Sequence, residues 1–340
     1  MNLVFLGSGA FGLPTLQALA REHTIAAVVT QPDKPAGRSM QPTPTPIGAW
    51  AAEHLPQTPL LKPERINTPE VIAQVRAFPA AAWVVIAYGQ KLSRPLLQDI
   101  FAINLHASLL PRWRGAAPIN HAVLAGDAVT GNSVITLADR MDAGLVLAQS
   151  RRAVEPLLTA GELHDLLAAD GPALIQQVLA DHAAERLAPQ TQDESLVTLA
   201  SKLSRADAWL DFAQPADKVR QRLHGLTPWP GISAKLGEIT LKLLRAQSLD
   251  PQSEQPPGAA GGSSGEQFPR RRPFSVGELI DPERGLVACG RSTMLQLLEV
   301  QPAGKKPMPW PDFARGRRPQ PGSILTTEIT PPPQSPPQSP

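Results

Sequence analysis

Asn104 and His106 stand two residues apart at the end of an apolar run, Phe101-Ala102-Ile103, within the stretch INLHASLLPRWRGAAP at 103–118. Along a strand, residues two apart share a face. This spacing therefore sets a carboxamide beside an imidazole and turns Leu105 into the core. An amide N–H can donate to an oxygen that is gaining negative charge, and an imidazole can hold or move a proton. Such a pair, at the carboxyl end of a strand, lies where open α/β sheets place their ligands. The imidazole then wants a carboxylate to orient it. Asp139 and Asp142 both follow the apolar run Val134-Ile135-Thr136-Leu137, and spacing alone does not choose between them. The bland alternative is a strand end whose polar residues cap a helix starting near Ala116.

The elements around this stretch alternate. Asn2 to Leu6 reads as a central parallel strand, followed by Gly7-Ser8-Gly9-Ala10-Phe11-Gly12 opening a helix. That glycine pattern can seat a dinucleotide pyrophosphate, with an acid roughly 20 residues on holding the ribose. Asp33 stands near that distance but in a proline-flanked loop, which favours a tight strand-to-helix turn instead. Further strands are expected over 25–30, 82–87, 133–137 and 145–149, with helices over 47–55, 69–78, 117–125 and 160–181. Alternation of this kind predicts a doubly wound α/β sheet for residues 1–182.

Residues 183–208 read as a linker. A second domain, 209–329, opens on Trp209-Leu210-Asp211-Phe212, with a helix over 217–226 and a rigid Pro228-Trp229-Pro230-Gly231 turn. Short strands at 232–236, 239–243, 285–288 and 294–300 suggest a small OB-like β-barrel. The Pro/Gly/Ser-rich stretch 248–274 and the tail 330–340 are expected to be disordered.

Composition narrows the class. The single cysteine, Cys289, excludes an internal disulfide framework and fits a reducing compartment. One Cys and scattered His give no zinc constellation, so no metal is expected. No run approaches the roughly 18 apolar residues of a membrane span. The first 20 residues lack a basic leader and contain Gly-Ser-Gly and Pro14, reading as strand, turn and helix. Net charge is +2, with acids in excess before residue 200 and bases in excess after it, a balance compatible with a nucleic-acid partner.

The string N-x-H-x-S-L-L-P-x-x-R-G resembles the signature of the folate-dependent formyltransferases, and SLLPRWRGAAPI at 108–119 is similar to the tRNA-acting branch of that family. The resemblance implies 10-formyltetrahydrofolate as donor and the α-amine of a charged initiator methionyl-tRNA as acceptor. It implies Asn104, His106 and Asp142 as catalytic residues. It places the pterin against Tyr88 and Gly89, after the strand AWVVIA, and against Ser108, Leu109 and Pro111. The loop TQPDKPAGR at 30–38 and the segment QPAGKK at 301–306 also resemble this branch, giving Lys34, Arg38, Lys305 and Lys306 as tRNA contacts. Arg112 and Arg114 stay open between RNA contact and packing at the rim. The chain departs from the family at Leu145, where a second acid is usual, at Gly9, where proline is usual, and at Ser39-Met40-Gln41, where lysines are usual. A cytoplasmic monomer is expected. Competing readings are a formyltransferase for a small amine, an NAD(P) oxidoreductase built on Gly7, Gly9 and Gly12, and an idle tRNA-binding protein.

Overall fold

Short apolar runs closed by turn residues make the central strands, as expected for strands buried on both faces. The structure, a computed structural model, describes residues 1–36, 40–249 and 274–327. By contacts the chain divides into one unit of Met1–Ile119, Val129–Ala153 and Glu162–Lys202, and a second of Asn120–Ala128, Val154–Gly161 and Leu203–Pro340.

Through residue 202 the chain runs β1 (Asn2–Gly7), α1 (Leu13–Glu22), β2 (Thr24–Val29), a hairpin of β3 (Lys34–Ala36) and β4 (Gln41–Thr43), α2 (Pro46–His54), β5 (Leu60–Leu61) and α3 (Pro69–Arg76). It continues with β6 (Ala82–Ile86), α4 (Arg94–Leu97), β7 (Ala102–His106), β8 (Arg114–Gly115), α5 (Pro118–Ala125), β9 (Val129–Thr136), β10 (Val146–Ala153), α6 (Ala160–Ala183) and β11 (Leu199–Ala200). The helices start where their sequences signal: Thr45 caps α2 by accepting from the Gly48 N–H, Thr68 caps α3 by accepting from the Val71 N–H, and a proline follows each cap. Seven strands form one sheet in the order β10-β9-β7-β6-β1-β2-β5, with β9 antiparallel to both β7 and β10 and the other pairings parallel. One face packs Val4, Leu6, Val29, Val75, Val85, Tyr88 and Leu96 into a common core. On the other face α6 approaches so closely that a Cβ at Gly171 would lie 2.7 Å from the Leu105 side chain.

The second unit holds α7 (Ala216–Gly225), β12 (Ile232–Leu236), β13 (Ile239–Leu249), β14 (Leu279–Asp281), β15 (Leu286–Ala288), β16 (Met294–Pro302), β17 (Met308–Pro309), α8 (Trp310–Arg317) and β18 (Leu325–Thr327). The strands make a curled antiparallel sheet, order β14-β15-β16-β13-β12-β18, with β17 against β16. The bridge between Glu278 and Ile324 brings its two ends together, giving the expected OB-like form. Trp310 is fully buried and donates its indole N–H to the Pro282 carbonyl at 2.8 Å.

Two expectations need revision. Ser248 and Leu249, placed at the start of the inserted stretch, are the last residues of β13 and pair with Leu295 and Met294 of β16. Alternate apolar residues carry the strand on, and only beyond it does the composition turn to Pro and Gly. The remainder of the insertion, up to residue 273, lies outside the described residues, as does the tail from 328. Residues 183–208, read as a linker, include β11 and belong to the first unit as far as Lys202. A two-residue strand has no periodicity to read.

Candidate active site

Strand β7 ends on the pair that the spacing singled out. Asn104 is flanked by Val85 on β6 and Ile135 on β9, and it is half-buried. Leu105 points the other way, onto α6, so Asn104 and His106 share the face opposite that helix. The Asn104 carboxamide has no hydrogen-bond partner among the described residues. An amide with unused donors at a strand end is available to a ligand.

His106 is 6% exposed, and both ring nitrogens are placed. Nε2 lies 2.9 Å from the Trp113 carbonyl. A carbonyl only accepts, so Nε2 carries a proton and donates it. Nδ1 faces the Asp142 carboxylate, 3.6 Å from Oδ2. That same oxygen accepts from the Gly115 N–H at 2.9 Å. Asp142 therefore links the imidazole to the loop that follows β7.

Asp142 sits in the turn between β9 and β10 with a left-handed backbone, φ 53°. Gln192 holds this turn by donating to the carbonyls of Asp142 and Gly144, each at 2.8 Å. Gly144 has no room for a side chain, since a Cβ there would lie 1.7 Å from the Thr136 carbonyl oxygen. Arg114, only 5% exposed, donates from Nε to Gln192 Oε1 at 2.9 Å and from Nη2 to Glu194 at 2.9 Å. Arg140 reaches the same carboxylate. With Arg114 and then Arg140 beside it, the Glu194 carboxyl is held below the usual carboxylate range. The loop carrying Arg114 is stitched to residues 198–200 by Trp113 N–H to Thr198 Oγ1, Arg114 N–H to the Thr198 carbonyl, and the parallel pairing of β8 with β11.

The choice between the two acids follows from geometry. Asp139 is exposed and pairs with Arg94, which pulls its carboxyl below the usual range, whereas Asp142 faces His106. Arg114, left open between two roles, is a buried strut rather than a surface cation. Arg112 stacks on the Trp113 ring, 4.3 Å from its centroid.

Of the residues expected to meet the pterin, two turn their side chains elsewhere. Ser108 is fully buried and donates its hydroxyl to the Arg112 carbonyl at 2.6 Å, so it shapes the loop. Tyr88 is 2% exposed in the core of its sheet face, its hydroxyl unpartnered, so its ring packs the fold. Gly89 is exposed with φ 89°, next to Ala87 at φ 48°, and this turn leaves backbone groups open to a ligand edge. Leu109 and Pro111 are half-buried on the site loop.

The glycine loop serves packing. Cβ atoms at Gly7 and Gly12 would meet the Phe5 ring and Ile86, and Asp33 is held by Lys62 Nζ at 2.7 and 2.9 Å. Lys34 lies exposed on β3; Arg38 is outside the described residues. Lys305 and Lys306 are exposed in the turn between β16 and β17 of the second unit.

A cavity of about 630 Å³ opens between residues 92–98 and 137–139, lined by Leu92, Pro95, Leu97, Leu137 and Ala138 with Arg94 and Asp139 among its polar groups. Leu92, Leu97 and Leu137 pack against the core that contains Val85, the sheet neighbour of Asn104. Its size and its mixed lining, leucines with Arg94, Gln98 and Asp139, suit a planar heterocycle with polar edges. Residues 92–98 and Thr198 did not announce themselves in the sequence, which has no apolar periodicity there, whereas Leu137 closes an apolar run and Gln192 stands in Gln192-Asp193-Glu194, a segment that resembles the tRNA-acting branch. Among the described residues no group of three or more His, Cys, Asp or Glu is placed to hold a metal ion, and no helix is long and apolar enough to cross a membrane.

Residues 1–179 match the formyl transferase family, and residues 202–318 match the formyl transferase C-terminal domain. The chain belongs to the formyltransferase family. Among relatives of this formyltransferase, a methionyl-tRNA formyltransferase of Rhodopseudomonas palustris is 40% identical over 328 residues, covering 94% of this chain and 98% of that protein. One from Methylococcus capsulatus is 39% identical over 316 residues, covering 92% and 96%. The formyltransferase fold is also shared with WlaRD, a sugar 3N-formyl transferase solved in the presence of dTDP and 5-N-formyl-THF. That match has a TM-score of 0.62 at 10% identity and covers 90% of this chain and 99% of WlaRD.

Proposed function

We propose that this formyltransferase moves the formyl group of 10-formyltetrahydrofolate to the α-amine of a charged initiator methionyl-tRNA. Relatives at 39–40% identity over nearly the whole chain carry that activity in their names. The observation that carries the chemistry is the unpartnered Asn104 carboxamide beside an imidazole held between a carbonyl and a carboxylate.

The donor supplies an activated formyl carbon. Its pterin fits the cavity lined by Leu92, Leu97 and Leu137, with the backbone of the Gly89 turn at its edge and Leu109 and Pro111 on the site loop. The amine's lone pair adds to the formyl carbon, and the carbonyl π pair moves to oxygen. Asn104 donates an N–H to that oxygen. His106, held between the Trp113 carbonyl and Asp142, presents its imidazole beside that oxygen to hold or move a proton. Asp142 orients the ring and helps carry away the proton that the amine sheds. The oxygen's pair then re-forms the carbonyl as the carbon–nitrogen bond to the donor breaks, and the released nitrogen takes that bond's electron pair and a proton. Lys34 and Arg38 on the first unit, and Lys305 and Lys306 on the second, contact tRNA phosphates.

The experiment is formyl transfer from 10-formyltetrahydrofolate with two acceptors in parallel, charged initiator methionyl-tRNA and a dTDP-amino sugar. Formyl-methionyl-tRNA as the sole product supports the reading. Formylation of the sugar alone would assign the site to a small amine.

A further inference from the structure

We infer that Gln192 is a positioning residue for the reaction: its amide fixes the Asp142 turn and so sets the carboxylate against His106. The inference rests on the proposed role of Asp142. Gln192 lies 50 residues further along the chain, is 6% exposed, and touches neither imidazole nor carboxamide. Its orientation is forced. Arg114 Nε can only donate, so Oε1 must face it, and the two amide hydrogens are left for the carbonyls of Asp142 and Gly144. Every hydrogen-bonding direction of that NH₂ is then spent on one turn.

The turn needs such a clamp. Asp142 has φ 53°, a backbone state that a non-glycine residue keeps only when its surroundings hold it. The turn's own bonds lie to either side of the Asp142 peptide: Ala143 N–H to the Arg140 carbonyl at 3.3 Å, and, at the turn's end, Leu145 N–H to Thr136 Oγ1 at 2.9 Å and Thr136 N–H to the Leu145 carbonyl at 3.0 Å. The 3.6 Å between Asp142 Oδ2 and His106 Nδ1 is therefore set from outside, by Gln192 above the turn and by the Gly115 N–H at the carboxylate. Arg114 couples the two holds. Its backbone lies in β8 beside Gly115, and its guanidinium orients Gln192.

Gln192→Glu is the discriminating variant. It keeps the volume and the Arg114 contact but presents a carboxylate to two carbonyl oxygens. Displacing a reacting group by about 1 Å costs on the order of 100-fold in rate. The expected result is a fall in kcat of that order, with KM for the donor and for charged tRNA changed less than about 3-fold. Gln192→Ala, which removes the donors without adding charge, should show the same split with a smaller loss. Circular dichroism and melting temperature of both variants verify folding, and Gln192→Ala keeps the test in hand if the glutamate unfolds the chain.

The same measurements in an Asp142→Asn background separate the two levels of inference. If Gln192 acts through Asp142, the second substitution adds little to the first. Losses that multiply, or a Gln192 variant with wild-type kcat beside a disabled Asp142→Asn, would overturn the positioning role. A fully active Asp142→Asn would remove the catalytic reading itself, and the inference with it.

Discussion

Tyr88 shows how a residue's chemistry is decided by where its side chain is put. The sequence reading placed it at the pterin, from the strand AWVVIA and the glycine after it; the fold puts its ring in the core and leaves its hydroxyl buried and unpartnered. Burial pushes the phenol up to about 12. The unfolded phenol ionises near 10. Below that pH both states are neutral, and the packing of the ring contributes in full. Above it the unfolded chain releases a proton that the folded chain keeps, so stability falls as pH rises through about 12. Tyr88→Phe is therefore expected to leave neutral-pH stability equal or raise it by up to about 1 kcal/mol. It should also blunt the loss between about pH 10 and 12. Urea midpoints of both proteins across that range provide the check, and parallel declines would refute the assignment. At this scale Asn104, His106 and the candidate acids were legible, because strand spacing and chemistry point the same way. The roles of Tyr88 and Arg114 were not, since a ring and a guanidinium suit a ligand or a neighbour equally well.

Among the elements, one two-residue pairing holds much of the candidate site. β8 and β11 contribute two residues each, yet they hold the Gly115 N–H that Asp142 accepts from. Gly115 has φ 128°, and a Cβ there would lie 2.4 Å from the Ala200 carbonyl oxygen. Gly115→Ala should cost about 1–3 kcal/mol in strain. It should also push the two strands apart and lower kcat by roughly 10- to 100-fold as the carboxylate loses its anchor. Melting temperature and kcat measured together are the readout, and an unchanged pair of values would show that the pairing does not hold the site. The larger elements could be read from apolar runs and proline-led helix starts, as at Thr45-Pro46 and Thr68-Pro69. β8 and β11 could not, because a pairing of two residues is specified by side chains elsewhere, here Thr198, Gln192 and Arg114.

At the scale of the molecule, a doubly wound unit holds the candidate site, and a curled antiparallel unit follows it, each matching its own formyltransferase domain. The alternation of strand and helix made the first legible, and the run of short strands made the second. Lys305 and Lys306 test how the second unit serves a tRNA. Each phosphate contact removed should lower the slope of log affinity against log salt by about 0.7–0.9. Lys305→Ala and Lys306→Ala should therefore flatten the salt dependence of tRNA binding while kcat at saturating tRNA stays unchanged. An unaltered slope would take both lysines out of the interface. The central claim, that the Asn104 carboxamide stabilises the formyl oxygen as the amine adds, is tested most directly by single-turnover formyl transfer to charged initiator tRNA in the Asn104→Ala protein. Because the side chain has no partner among the described residues, the account predicts an unchanged melting temperature. It also predicts a rate lower by on the order of 100-fold or more. A rate close to that of the unaltered protein would contradict it.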